Sequence, residues 1–201
     1  MAEPSTPTPE FLMTWTSRAS TRVGIDICLR PLRAEDRERE IEFISSLSER
    51  TRCLRMFAPL KFLRPHLLNL LMDIDYRQRM AFVATVERDG QERFIGLARY
   101  AQTNEPGVVE LGITVTDEWQ RRGIARLLMA ELMRFAAAHG MHRMVGSVLP
   151  ENHGMLALAR RLGFTVSYDP AARLMEISCA LGRASMNENV VRSGRNDARL
   201  S

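Results

Sequence analysis

Residues 115–125, V-T-D-E-W-Q-R-R-G-I-A, put a turn of small and polar residues between an apolar strand pattern and an amphipathic helix pattern. The chemistry such a turn serves is the holding of a phosphate. A helix start leaves backbone N–H groups unpaired and carries a partial positive charge, so an anion is stabilised there. Gly123 and Ala125 lack the bulk that would keep a phosphate off the backbone. The turn of Gln120, Arg121, Arg122, Gly123, Ile124 and Ala125 is therefore suited to holding a phosphate. For Arg121 and Arg122 the backbone N–H groups are the expected contacts. The guanidinium groups of Arg121, Arg122 and Arg126 are divided between phosphate and solvent, and Trp119 is expected to anchor the turn by packing. The loop has neither the lysine of a nucleotide-hydrolysing P-loop nor the glycine pattern of a dinucleotide fold.

The strand feeding this turn carries the second chemical group. Along Val108 to Val115, side chains alternate in direction. Val109, Leu111, Ile113 and Val115 form an apolar face, and Val108, Glu110, Gly112 and Thr114 a smaller, more polar one. A carboxylate in so apolar a strand is uncommon, because burying a charge without a partner is costly. Two readings stand: Glu110 sits at an edge facing solvent, or it lies on the floor of a cleft as a general base. In the second, Glu110 is five residues from Val115, roughly 16 Å at about 3.3 Å per residue. A third segment, P-E-N-H-G-M, places Asn152 before a helix pattern. From position alone Asn152 is read as a helix cap. The four histidines (His66, His139, His142, His153) have no metal-ligand spacing, and no metal is expected.

The elements that must hold these groups follow from periodicity and punctuation. Residues 1 to about 22 are rich in Pro, Ser and Thr and are expected to be a flexible extension. Val23 to Leu32 alternates like a strand. Ala34 to Leu47 reads as a helix with Ile41, Phe43, Ile44 and Leu47 inward, and Ser48 caps a second helix ending near Phe57. Pro65 opens a third, through Met72, with Leu67, Leu68, Leu70 and Leu71 as its apolar residues. Asp89-Gly90 marks a hairpin between strands at 80–86 and 92–100. The helix after Gly123 ends at His139-Gly140, with Ile124, Leu127, Leu128, Leu132 and Phe135 inward. Strands at 144–149, 164–168 and 174–180 enclose a helix at 154–162, and a tail follows from 183. Helices and strands mix without strict βα alternation, so the expected class is mixed α/β, a sheet flanked by helices.

Bulk properties narrow the function classes. At 201 residues the chain is long enough for one sizeable core, and 45% apolar with 26% charged residues is an ordinary globular balance. The net charge of +4 suits an anionic ligand, and no basic run interleaved with aromatics points to nucleic acid. Cys28, Cys53 and Cys179 are three, far apart and in apolar surroundings, which reads as reduced core thiols in the cytoplasm. No membrane-spanning run and no signal-peptide pattern is present, so neither a membrane nor a nucleic-acid partner is expected. A homodimer is left open.

Taken together, the phosphate loop, the asparagine after the following strand, and the leucine-glycine-phenylalanine closure at Leu162-Gly163-Phe164 resemble the GNAT acetyltransferases over about residues 25–181. Within that family, I-C-L-R-P-L-R-A-E-D, S-E-R-T-R-C-L-R-M-F, M-D-I-D-Y-R-Q-R-M-A-F-V-A and G-L-A-R-Y look like the acetyltransferase domain of the Pat-type protein-lysine acetyltransferases. The resemblance implies a GNAT domain at 23–182 around a central, largely antiparallel mixed sheet. It also implies acetyl-coenzyme A as co-substrate and direct attack by an amine, which the Pat likeness makes a protein lysine and which a small molecule also satisfies. Glu110 occupies the Pat-like position of the base. Backbone N–H groups at Ile113 to Val115, exposed by the family's splayed strands, would support the thioester oxygen, and Asn152 would face the cofactor. The family's frequent tyrosine acid is absent, since Ala159 stands there. Tyr76 and Tyr100 are either acceptor-cleft residues or core aromatics. Two rivals remain open: a catalytically silent acyl-coenzyme A-binding regulatory module, and a nucleic-acid-binding protein that shares only the sheet.

Overall fold

The computed structural model describes residues 8–20, 24–57 and 65–182; the predicted tail from 183 lies outside them. Eight strands form one sheet in the order β1-β2-β3-β4-β5-β6-β8-β7. They are β1 (Ser17–Ser20), β2 (Asp26–Pro31), β3 (Arg79–Arg88), β4 (Gln91–Gln102), β5 (Val108–Val115), β6 (Arg143–Val148), β7 (Thr165–Asp169) and β8 (Leu174–Ala180). Six helices flank it: α1 (Pro9–Thr14), α2 (Arg37–Ser46), α3 (Glu49–Met56), α4 (Pro65–Met72), α5 (Ile124–Ala138) and α6 (His153–Arg161). All pairings are antiparallel except β5 with β6, giving the mixed, mostly antiparallel sheet the sequence implies.

Local chemistry explains the elements. Asp89 and Gly90 both take positive φ (54° and 70°), the two-residue turn that matches strand twist, and Arg88 pairs with Gln91 across it. Ser48 caps α3 by accepting a hydrogen bond from the Thr51 N–H at 3.2 Å. β3 is buried on both faces, as a central strand must be. Met80, Phe82, Ala84 and Val86 join the core with Ile124, Leu128, Leu132 and Phe135 of α5. Ala81 and Val83 join a second cluster with Phe43, Ile44 and Leu47, at and beyond the end of α2, and Leu71 of α4. Gly96 on β4 lets α5 close in: a Cβ there would lie 3.0 Å from Leu128 and 3.1 Å from Ile124. That contact fixes the direction of α5 and so of its N-terminus.

Three expectations are corrected. The segment read as a flexible extension is ordered from residue 8 to residue 20: α1 leads to Trp15, 9% exposed, and β1 pairs with β2 from Ser17↔Leu29 to Ser20↔Asp26. The reason is burial against distant rings, with Trp15 lying 4.7 Å from Phe135 and the Arg134 guanidinium 4.1 Å above it. Second, Ile41 of α2 is exposed, and its neighbour Glu40 points inward at 1% exposure. Glu40 accepts a hydrogen bond from Arg99 of β4 at 2.6 Å, so an ion pair takes the inward position. Third, the cysteines are unpaired but half-buried, not core residues.

A buried charge cluster ties β2 to the start of α2. The Arg30 guanidinium donates to Asp36 at 2.7 and 2.9 Å and to Glu92 at 2.6 and 2.9 Å. Burial pushes the Asp36 carboxyl up, but the hydrogen bonds and charge of Arg30 outweigh it and hold the group below its ordinary value. A carboxyl depressed in the folded state stabilises above its unfolded pKa, near 3.9, and loses that contribution as pH falls through the folded value. Asp36→Ala is expected to cost about 3–5 kcal/mol in urea unfolding at pH 7, because Arg30 loses a buried partner. The gap to wild type should close below about pH 4, as the wild-type carboxyl protonates. An equal gap at pH 7 and pH 3 would show the loss to be packing rather than charge.

Candidate active site

β5 and β6 pair at only three positions, Val108↔Arg143, Val109↔Met144 and Glu110↔Val145. Beyond Glu110 they part, and β6 continues with β8 alone to Val148. A strand points its N–H and C=O groups alternately to its two sides. From Leu111 to Val115, then, the groups aimed at β6 have no strand partner. Near the apex Gly146 keeps the wedge tight, since a Cβ there would lie 3.2 Å from Leu111. A cleft of about 880 Å³ fills the opening, within the ~300–1,000 Å³ usual for sites that bind small molecules.

The cleft gathers most of the residues the sequence singles out. Glu110, Ile113 and Val115 line it from β5, and Gln120, Arg121, Gly123 and Ala125 from the turn. Asn152 lines the opposite side. Two members of the predicted loop turn elsewhere. The Ile124 side chain is 1% exposed in the core, because it begins the inner stripe of α5. The Arg122 guanidinium lies 5.2 Å over the Trp119 ring and does not line the cleft. Arg121 and Gly123 take positive φ (62° and 89°), which curls the chain just before α5. Such a curl next to a helix start turns N–H groups toward one point, a cradle for an anion. Arg121, Arg126 and Arg161 add positive charge around it.

Gln120 is placed by its partners. Its side-chain amide donates to the Val115 carbonyl at 3.1 Å and to Thr51 Oγ1 at 3.2 Å, so it ties the turn to β5 and α3. Asp117 completes the tie, accepting from the Ser48 N–H (3.0 Å), Ser48 Oγ (2.7 Å) and Thr51 Oγ1 (2.8 Å). Burial pushes the Asp117 carboxyl up, but these hydrogen bonds outweigh it and hold the group below its ordinary value. Asn152 caps α6, its side-chain oxygen accepting from the Met155 N–H at 3.1 Å, while also facing the cleft. The cap is thus observed, and the residue stands where a contact to a bound molecule can be made.

At the other end of the cleft Glu110 is exposed on the small face of β5, with Gly112 and Thr114 beyond it. Arg55 of α3 lies across Gly112, so close that a Cβ on Gly112 would meet its guanidinium at 2.1 Å. Arg99 follows, anchored by Glu40 and by the Leu71 carbonyl at 2.8 Å. Arg55 and Arg99 escape sequence reading because no local pattern brings α3 and β4 to β5. Tyr100 is 2% exposed and donates to the Arg77 carbonyl at 2.9 Å; Tyr76 donates to the Leu32 carbonyl at 2.9 Å. Burial pushes the Tyr76 phenol up to about 12, and the Tyr100 phenol also upward. Tyr100 is thus a core aromatic that also lines the cleft, whereas Tyr76 is partly buried against the core and does not line it. Ala159 is fully buried and supplies no acid. Among the described residues, no three His, Cys, Asp or Glu side chains are grouped to hold a metal ion, and no helix is long and apolar enough to cross a membrane.

Known proteins share this fold. A family model described as an acetyltransferase (GNAT) domain matches residues 26–165. An acetyltransferase of Pseudomonas aeruginosa is 43% identical over 147 residues, which make up 73% of this chain and 79% of that protein. The crystal structure of the GNAT domain of Streptomyces lividans PAT has the same fold, with a TM-score of 0.76 and 24% identity over 84% of this chain and 98% of that one. A phosphinothricin acetyltransferase of Sinorhizobium meliloti, solved in complex with AcCoA, also shares the fold. Its TM-score is 0.60 at 22% identity, over 77% of this chain and 88% of that one. The family match across most of the chain, on a sheet whose β5 and β6 part after three pairs, makes this protein an N-acetyltransferase of the GNAT family.

Proposed function

We propose that this chain transfers the acetyl group of acetyl-coenzyme A directly to a primary amine in the cytoplasm, with Glu110 as general base. One observation carries the reading. Glu110 lines the cleft from the last β5–β6 pair, five residues before Val115, where the strand runs on toward the anion cradle. The pyrophosphate would rest on the turn at Arg121 to Ala125, and the pantetheine arm would run along the unpaired edge of β5. The thioester would then come to rest near Glu110. A lysine amine with a pKa near 10.4 is mostly protonated at pH 7, and exposing its lone pair costs ~4.6 kcal/mol at 1.36 kcal/mol per pKa unit. Glu110, directly or through one water, would take that proton. An unpaired N–H between Ile113 and Val115 would support the developing oxyanion. Positioning of two substrates supplies the rest.

Two acceptor classes are supported. The likeness to the Pat domain favours a protein lysine, and the shared fold with phosphinothricin acetyltransferase favours a small amine. Incubation with labelled acetyl-coenzyme A and a cell lysate, split into protein and small-molecule fractions, is expected to place label on protein amines. Label confined to small molecules would remove the lysine reading and keep the transfer. Label in neither fraction, with cofactor bound, would instead favour a silent acyl-coenzyme A-binding module.

A further inference from the structure

Arg55 lines the cleft beside the proposed base, and the proposed transfer does not use it. Its guanidinium rests on the Cα of Gly112, the next residue after Glu110 on the same face of β5. Two residues along a strand are ~7 Å, so one small group can touch both side chains. Arg55 offers five N–H donors. Among the described residues it makes no hydrogen bond and no ion pair within 4.0 Å; Arg99, its neighbour, spends its own donors on Glu40 and Leu71. Burial and the charge of Arg99 push the Arg55 guanidinium down to about 10, against the pull of Glu110 and Glu40. These donors are open to the cleft, where an anion that replaced water would meet a half-buried cation free to make charge-assisted hydrogen bonds. In the proposed transfer the cofactor phosphates would be held elsewhere, at the turn beyond the far end of β5. Gly112 is itself part of the device, since any side chain there would displace the guanidinium.

We infer that Arg55 determines acceptor specificity by binding a carboxylate that lies close to the amine being acetylated. Resting on the proposed transfer in this cleft, the inference narrows the acceptor to an amine with an adjacent acidic group. Planar guanidinium and carboxylate match two bonds to two oxygens, so the pair would orient the acceptor as well as hold it. The carboxylate has two sources: the free end of an amino acid, or an Asp or Glu next to a lysine in a polypeptide.

The test compares acid with amide. Wild type, Arg55→Gln, Arg55→Lys and Gly112→Ala are assayed with acetyl-coenzyme A in two arms. One arm pairs each of the twenty amino acids with its carboxamide; the other pairs lysine peptides carrying Asp or Glu beside the lysine with peptides carrying Asn or Gln. In the arm that holds the natural source, wild type is expected to prefer the acid by about 10- to 100-fold in kcat/KM, the range for charge-assisted hydrogen bonds, mostly through KM. Arg55→Gln should bring the ratio close to one, and Arg55→Lys should restore part of it. Gly112→Ala keeps the charge but displaces the guanidinium, and should lower the ratio. The wild-type ratio and Gly112→Ala test the assignment even if Arg55→Gln folds poorly. Turnover without acid preference in either arm, or an unchanged ratio in Arg55→Gln, would overturn the role of Arg55 and leave the transfer standing. An equal fall in kcat for acid and amide would overturn it too, by assigning Arg55 to the thioester. Acetylation of no amine at all would overturn the transfer and this inference together.

Discussion

Glu110→Gln is expected to keep its fold and its affinity for acetyl-coenzyme A while losing turnover by about 10²- to 10⁴-fold, the range for one general acid–base group. Glutamine preserves size and hydrogen bonding and removes only the basic lone pairs. The position tolerates the change because Glu110 is exposed in the cleft, without a salt-bridge partner among the described residues, and lies where β5 and β6 make their last pair. Cofactor affinity should not move, since the anion cradle is at the other end of β5. In wild type the rate should rise with pH as the acceptor amine loses its proton, near 8 for an α-amine and near 10.4 for a lysine. No falling alkaline limb is expected from a side-chain acid, because Ala159 is buried and both neighbouring tyrosines donate to backbone carbonyls. Stopped-flow or coupled release of coenzyme A, with calorimetry for the cofactor, separates the two effects. Turnover within a few-fold of wild type would make Glu110 a strand residue, with catalysis left to positioning and water.

What the sequence discloses here is what local chemistry decides. β5 and β8 end where their alternation ends, Asp89-Gly90 turns as its dipeptide requires, and Ser48 caps α3 as serine before a helix does. The curl at Arg121 and Gly123 before α5, proposed above as an anion cradle, was legible for the same reason: glycine spacing and helix start lie within a few residues of each other. The features that escaped depend on residues far apart in the chain. Trp15 is ordered by Phe82 and Phe135, which no window around residue 15 contains. Glu40 turns inward because Arg99 waits on β4, so the apolar periodicity that favoured Ile41 was overruled by an ion pair. The end of the β5–β6 pairing was expected only through the family resemblance and leaves no mark in either strand, because splaying changes what lies between strands and not the pattern along them. Arg55 reaches the cleft only because Asp117 and Gln120 bind Ser48 and Thr51, locking α3 against the phosphate turn.

Gly123→Glu is expected to abolish acetyl-coenzyme A binding in a protein that still folds. The fold should survive for two reasons. A Cβ at Gly123 meets nothing within 4 Å, so there is room. The strain of a side chain at φ +89°, roughly 1–2 kcal/mol, is partly offset by ~0.3–1 kcal/mol for a carboxylate at a helix N-terminus. Binding should not survive, because that same favourable place for a negative charge is where the pyrophosphate must sit. With cofactor at a thousand times its Kd, wild type gains ~4.1 kcal/mol of apparent stability through mass action. Thermal unfolding with and without acetyl-coenzyme A should show that gain as a raised Tm in wild type and no shift in Gly123→Glu. Gly123→Ala carries the same backbone strain without the charge, and should keep a reduced shift. That ordering assigns the loss to electrostatics at the turn. If Gly123→Glu is stabilised by cofactor as much as wild type, the phosphates lie elsewhere in the cleft, and the path from the turn along β5 to Glu110 has no starting point.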